Sequence, residues 1–116
     1  MTGYLVVIAF LLSQAPRQLL IFGDPNWRAV KEQLELLKKD SAGLREREVV
    51  VTMAGVGDAA WKRFAVPLHS DFTVVLVGKD GGEKYRSHRP LSTAELFALI
   101  DAMPMRRAEM RRRRIP

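Results

Sequence analysis

Three short apolar runs, separated by turn-forming residues and helix-length segments, constrain the fold of this chain more than any other feature of its sequence. The runs are Gln18–Gly23, Val49–Met53 and Phe72–Gly78. Apolar runs of this length that are bounded by Gly, Pro or Asp are typical of buried strands. A fourth strand, Glu83–Ser87, is predicted after the turn Lys79–Gly82, because its Asp-Gly pair supplies the positive φ angles of a hairpin.

Helical segments are predicted around these strands. The first begins where Asp24 fits an N-cap and Pro25 fits the first helical position. The last begins at a capping box, Ser92–Glu95, and breaks or kinks at Pro104 because proline lacks the amide hydrogen of the helical ladder. The three predicted helices cover 25–40, 58–64 and the segment from Ser92 to Pro104.

The predicted element order is therefore β-α-β-α-β-β-α. Two strands joined by a helix are expected to be parallel with a right-handed crossover, whereas the last two strands form an antiparallel hairpin. This order predicts an α/β fold of the thioredoxin-like type: a four-stranded mixed sheet, in spatial order 2-1-3-4, with helices on both faces. Eight apolar side chains are expected in the core: Trp27, Leu34, Phe64, Phe72, Val74, Leu76, Phe97 and Ile100.

Composition limits the chemistry that this chain can perform. Its 116 residues predict one compact domain, assigned to residues 16–104, and a hydrophobic fraction of 47% suffices for a core without disulfides. The chain has no Cys, which excludes thiolate catalysis, disulfides and Cys-ligated metal within it. With only two His, a His-rich metal site is excluded as well, so no metal and no other cofactor is expected.

Positive charge is concentrated in residues 105–116. This tail holds six of the 19 basic residues and one acidic residue, so it carries +5 while the rest of the chain carries +1. Guanidinium groups bind phosphate and sulfate, which predicts weak binding to polyanions or to an anionic membrane surface; a solvated terminus is the alternative. Specific nucleic-acid binding is not expected, because the tail has no aromatic side chain for base stacking. Its arginines are Arg106, Arg107, Arg111, Arg112, Arg113 and Arg114.

An unbroken apolar run, Tyr4–Leu12, lies within residues 1–15. It is too short for a bilayer-spanning helix, which needs about 20 residues. Followed by Ser13 and Ala15, it resembles a signal peptide, although no basic residue precedes it and Pro16 would follow the cut. The alternative is a buried apolar segment of the fold. The first possibility predicts a periplasmic or secreted protein, and the second predicts a cytoplasmic one.

Two sequence blocks together resemble a known family. The segments 77–84 (VGKDGGEK) and 96–107 (LFALIDAMPMRR) are similar to the DUDES-type domain, a bacterial domain family of unknown function (domain of unknown function 4174). The resemblance extends from Arg17 to Arg112. It implies a thioredoxin-like fold, distantly similar to peroxiredoxins, and it implies no established reaction and no catalytic residues. Members of the family often carry signal peptides, so the resemblance favours the signal-peptide interpretation of residues 1–15.

The segment Gly23–Trp27 lies where thioredoxins and peroxiredoxins place their reactive cysteine, between the first strand and the first helix. Here Asp24, Asn26 and Trp27 stand in its place. These residues are candidates for contact with a ligand or an anion, because the N–H groups at a helix N-terminus attract negative charge. The alternative is structural, with Asp24 as the helix cap and Trp27 in the core.

Two further patterns are compatible with chemistry. Gly55–Ala60 matches G-x-G-x-x-A, and Asp80 follows at the spacing of a ribose-binding acid. A dinucleotide fold needs two βαβ halves, however, so a glycine-rich turn is the favoured interpretation. Ser70, Asp71 and His88 could form a hydrolytic group, but nothing in their spacing fixes its geometry. No catalytic residue is predicted.

These observations predict a cysteine-free, thioredoxin-like domain that acts as a non-redox binding or structural module. Two alternatives stay open. One is an enzyme of peroxiredoxin-like ancestry that uses chemistry other than thiol chemistry. The other is a protein that binds polyanions or membrane surfaces through residues 105–116. The sequence names no particular partner, and it does not establish whether the protein is an enzyme.

Overall fold

A computed structural model describes residues 15–114. The predicted apolar segment within residues 1–15 lies outside the described residues. Four strands are present: β1 (Arg17–Phe22), β2 (Val49–Ala54), β3 (Thr73–Val77) and β4 (Glu83–Ser87). Five helices accompany them: α1 (Arg28–Lys38), α2 (Ser41–Glu46), α3 (Ala59–Arg63), α4 (Thr93–Asp101) and α5 (Pro104–Arg114).

The four strands form one mixed sheet in the order β2-β1-β3-β4, which confirms the predicted topology. β1 and β2 are parallel, and their pairing runs in register from Arg17 opposite Val49 to Phe22 opposite Ala54. β3 is antiparallel to both β1 and β4. The carboxyl ends of β1 and β2 and the amino end of β3 therefore lie at the same end of the sheet.

Helices cover both faces of the sheet, as the sequence predicts. On one face, residues of α1, α2 and α4 pack on alternate side chains of β1 and β3, such as Leu19 and Val74. On the other face, α3 and the residues after it pack on the intervening side chains, such as Leu20 and Val75. Strands β1 and β3 are buried on both faces, which is why they appear in the sequence as continuous apolar runs.

The segment predicted as one helix over 25–40 differs from the prediction. α1 begins at Arg28 rather than at Pro25, and a further short helix that was not predicted, α2, follows the segment at Ser41–Glu46. Trp27 and Leu34 were expected in the core, but each is 38% exposed. α1 instead buries Val30, Gln33 and Leu37. The remaining expected core residues are buried, except that Phe97 is only partly buried.

Pro104 separates two helices, which agrees with the predicted break. α4 ends at Asp101 and α5 begins at Pro104, a position where the missing proline N–H costs no helical hydrogen bond. α5 includes most of the arginine-rich tail, and it is not wholly solvated. Arg106 is 1% exposed, so the alternative of a solvated terminus is wrong for this residue.

Candidate functional site

The site predicted from sequence lies at the carboxyl end of β1, where the chain turns from Phe22 into α1. Asp24 organises this turn: its Oδ1 accepts a hydrogen bond from the Asn26 N–H at 2.8 Å, and its carbonyl accepts one from the Trp27 N–H at 2.9 Å. The prediction that Asp24 caps the helix is therefore wrong. Trp27 occupies the N-cap position instead, because the aspartate side chain is already used within the preceding turn.

Trp27 lies against the backbone of Gly23. A Cβ atom on Gly23 would come within 2.8 Å of the Trp27 ring, and Gly23 also has a φ of +151° that disfavours side chains. Glycine is thus required for the ring to lie there. The indole remains 38% exposed, so the structural alternative that Trp27 belongs to the core is wrong.

The N-terminus of α1 receives no side-chain hydrogen bond from its N-cap residue, and its first turn contains no acidic residue. The first N–H groups of a helix lack intrahelical acceptors and carry partial positive charge. Beside them, a shallow depression of about 530 Å³ is lined by both basic and acidic side chains: Asn26, Arg28, Lys31, Glu32 and Glu35. The N–H groups at the start of α1 can therefore accept an acidic group.

Two other loops share this end of the sheet. One follows β2 and contains Gly57, whose φ is +88°, and the other precedes β3. Each loop exposes one large apolar side chain, since Val56 and Leu68 are both 64% exposed. The loop after β2 matches the G-x-G-x-x-A pattern, but α3 has only five residues. It is a glycine-rich turn into a short helix, as the favoured interpretation states.

The residues considered for hydrolysis are not assembled. The Nδ1 atom of His88 lies 3.2 Å from Oγ1 of Thr73, and Thr73 is fully buried. Oγ of Ser70 is buried without a hydrogen-bond partner among the described residues. Within residues 15–114 there is also no group of three or more metal-ligating side chains and no cis peptide bond.

The opposite end of the sheet holds an ionic cluster that the sequence did not predict. Arg17, at the start of β1, is 1% exposed and donates to both oxygens of Glu109 on α5, at 3.0 Å and 3.3 Å. Lys79, which follows β3, pairs with the same carboxylate at 3.0 Å and also with Glu48. These contacts hold α5 against the end of the sheet. We call Arg17, Lys79 and Glu109 the α5 clamp.

A second set of ion pairs lies beside the clamp. Asp101, at the end of α4, accepts from Arg47 at 2.9 Å and 3.0 Å and from Arg106 at 3.0 Å. Arg106 also donates to Glu46 at 3.2 Å. The hydrogen bond from Arg47 is the main reason that the pKa of Asp101 lies below its ordinary value. Burial raises the pKa of Glu109, but hydrogen bonds from Arg17 and Lys79 outweigh it and lower this pKa too.

The arginines predicted to bind anions therefore differ in their surroundings. Arg106 is buried in ion pairs, and Arg113 pairs with Glu46 at 3.2 Å. Three others, Arg107, Arg111 and Arg112, are exposed and make no ion pair within the described part of the chain; Arg114 ends the helix. Binding of polyanions by this surface stays a prediction. No helix in residues 15–114 is long and apolar enough to cross a membrane.

The free energy of unfolding is expected to fall in acid. Asp101 and Glu109 have folded-state pKa values below their ordinary values of 3.8 and 4.5. The unfolded chain then binds more protons, so the stabilisation is complete above those ordinary values and is lost as the pH falls through the lowered ones. Urea unfolding across the acid range measures this loss. Glu109→Gln should flatten the curve, and an unchanged slope in that variant would assign the effect to other carboxylates.

Comparison with solved structures of other proteins confirms the thioredoxin-like fold. A chloroplastic thioredoxin z is 17% identical, with 84% of this chain and 86% of that chain covered and a TM-score of 0.58. A yeast mitochondrial 1-Cys peroxiredoxin is 19% identical, with 83% and 88% covered and a TM-score of 0.55. A malarial protein is 19% identical, with 74% and 94% covered and a TM-score of 0.59. At these identities the likeness concerns the fold alone.

Comparison with curated proteins gives no significant match. A family model does match, over residues 57–109, and it describes a domain of unknown function, DUF4174. The matched region begins in the loop after β2 and ends at Glu109 in the α5 clamp. It therefore includes both sequence blocks on which the family resemblance was based. Residues 57–109 match the domain of unknown function DUF4174, and the described chain has the thioredoxin-like fold that its structural neighbours share.

Proposed function

We propose that this chain is a non-redox binding module that contacts a partner protein through the loop end of the sheet around Trp27. The observation that carries the proposal is the Trp27 indole, which is 38% exposed yet held against the Gly23 backbone. Tryptophan is among the side chains that contribute most to protein interfaces. An indole already fixed in place loses little conformational entropy on binding.

The neighbouring loops support the same surface. Val56 and Leu68 are the most exposed large apolar side chains of the described residues, and both lie on loops at this end of the sheet. We call Trp27, Val56 and Leu68 the apolar end. Burial of apolar surface contributes about 25 cal/mol per Å² before the costs of association. Exposed apolar side chains that lie together at one end of a sheet are a feature of interaction sites.

Charge around the apolar end defines the partner further. The N-terminus of α1 lacks both a side-chain cap and an acidic first turn, and Arg28 and Lys31 lie beside it. A negative group is favoured at such a position. The partner is therefore expected to present an apolar side chain to Trp27 and an acidic residue next to it. Without Cys, this chain cannot form a mixed disulfide with the partner.

Site-specific photo-crosslinking in the native host tests the proposal. A photoreactive amino acid at position 56 and, separately, at position 68 is expected to capture the same identified protein. The same substitution at position 34 is the control, because Leu34 is as exposed as Trp27 but lies further along α1. Equal capture of that protein from position 34 would mean that the apolar end is not the docking surface.

Purified partner then measures the role of Trp27. The substitution Trp27→Ser is expected to weaken binding by about 30-fold or more, which corresponds to an interface residue worth about 2 kcal/mol. Leu34→Ser should change the affinity by less than about twofold. Trp27 and Leu34 have the same exposed fraction, so each variant removes a partly exposed apolar side chain from the same region of the chain. Similar effects of both substitutions would contradict the proposal.

A further inference from the structure

The side of α5 that faces away from the sheet carries positive charge. Arg106, Glu109 and Arg113 lie three or four positions apart and contact other elements, so they define the docked side of the helix. The opposite side has no acidic residue within Pro104–Arg114, because Glu109 is the only acid of this helix. Three exposed arginines lie there: Arg107, Arg111 and Arg112. We call these three residues the outer arginines.

The acidic side chains that contact α5 are already neutralised by other cations. Glu109 pairs with Arg17 at 3.0 Å, and Asp101 and Glu46 pair with Arg106 at 3.0 Å and 3.2 Å. The outer arginines, in contrast, make no ion pair within residues 15–114. Uncompensated charges grouped on one surface create a field that attracts an anion from outside the chain.

Met105 indicates what kind of anion this surface fits. It is 46% exposed and precedes Arg112 by about two helical turns, so the two residues lie on the same side of α5. At a membrane surface, an apolar side chain beside arginines is buried at the boundary between headgroups and acyl chains. Contacts with nucleic-acid phosphates bury no such side chain, because they are made by polar groups. We propose that α5 binds the surface of a membrane that contains anionic phospholipids, with the outer arginines on the lipid phosphates and Met105 at the acyl boundary.

Membrane binding through α5 leaves the apolar end accessible. The α5 clamp holds this helix at the start of β1, whereas Trp27 follows the carboxyl end of the same strand. The two surfaces therefore lie at opposite ends of the sheet, and one can contact a membrane while the other contacts a protein. The membrane inference does not depend on the proposed function, because it rests on different residues.

Co-sedimentation of the whole chain with lipid vesicles tests the proposal. Vesicles of phosphatidylcholine that contain about 30% phosphatidylglycerol are compared with vesicles of phosphatidylcholine alone. Each arginine near an anionic surface raises the affinity about fivefold, so the three outer arginines together should favour the anionic vesicles by about 100-fold at low ionic strength. Physiological salt should reduce this preference by screening. Equal affinity for the two kinds of vesicle would overturn the proposal.

Single and triple substitutions distinguish the outer arginines from the overall charge of the protein. Arg111→Gln should weaken binding to anionic vesicles about fivefold, and the triple glutamine variant of the outer arginines should weaken it about 100-fold. The matched control is Lys62→Gln, which removes one exposed positive charge from α3 and should change the affinity by less than about twofold. Equal effects of Arg111→Gln and Lys62→Gln would contradict binding through α5.

A DNA duplex of mixed sequence is the competing probe, measured at the same ionic strength and the same concentration of accessible phosphate. The wild type should bind the anionic vesicles more tightly than the duplex, because Met105 contributes only at the lipid surface. Met105→Ser should therefore weaken vesicle binding by about threefold and leave duplex binding unchanged. Tighter binding to the duplex than to the vesicles would assign the outer arginines to nucleic acid and overturn the proposal.

Discussion

Replacing Glu109 with alanine is expected to lower the free energy of unfolding by about 3 kcal/mol, because it leaves a buried arginine without its counter-charge. Arg17 is 1% exposed and donates two hydrogen bonds to this carboxylate. Lys79 lies 3.0 Å from the same group, and Arg106 lies 3.7 Å away. One alanine substitution therefore removes the only acidic member of the α5 clamp and leaves three positive charges close together.

Equilibrium urea unfolding of Glu109→Ala measures this cost. The matched control is Arg111→Gln, because Arg111 lies on the same helix but is exposed and has no ion-pair partner among the described residues. That control is expected to change stability by less than about 0.5 kcal/mol. If the two variants unfold at the same urea concentration, then α5 is not held to the sheet by Glu109.

The centre of the sheet could be predicted from the sequence because its two central strands, β1 and β3, are buried on both faces. Continuous apolar runs such as the one that forms β3 have few alternatives once their length and bounding turns are considered. The topology then followed from connection rules, since a strand–helix–strand unit is parallel and right-handed. The Ser92 hydroxyl also accepts from the Glu95 N–H at 3.1 Å, as the capping-box sequence predicts.

Apolar periodicity predicts the buried face of α1 only in part, because one of its core residues is polar. Gln33 is fully buried, and its side chain pairs with both backbone groups of Leu91, at 2.9 Å and 2.8 Å. The apolar residues at helical spacing include Val30 and Leu37, which are buried, but also Trp27 and Leu34, which lie on the exposed side. The burial of this glutamine depends on hydrogen bonds to a loop residue 58 positions away, which local sequence does not reveal.

The clamp was missed for a related reason, because counting charges does not reveal which of them are paired. Arg106 contributed to the calculated charge of the tail, yet it lies buried beside Asp101 and Glu46. The available signal was Glu109, the only acidic residue in an arginine-rich segment and three positions after Arg106. Only the folded structure shows the role of Glu109, because it places this residue beside Arg17, which is 92 positions away in the sequence.

The smaller of the two cores depends on Phe22, and Phe22→Ala is expected to cost about 3–5 kcal/mol of unfolding free energy. Phe22 is fully buried and meets Trp61 edge to face, with ring centroids 5.4 Å apart and an interplanar angle of 86°. α3 has only five residues, too few to be stable by helix propensity alone. Packing on Phe22 therefore stabilises α3. It also stabilises the loops on either side of α3, which carry Val56 and Leu68.

Two further substitutions serve as controls for the effect of Phe22→Ala on stability. Phe22→Leu keeps much of the side-chain volume and should cost less than Phe22→Ala, whereas Val56→Ala, at an exposed position, should change stability by less than about 0.5 kcal/mol. Urea unfolding measures all three, and tryptophan fluorescence of a Trp27→Phe background reports Trp61 alone. Because Phe22 packs on α3 directly, the Trp61 emission of Phe22→Ala should shift toward longer wavelength even before global unfolding. A Phe22→Ala variant as stable as Val56→Ala would mean that α3 is held to the sheet by other contacts.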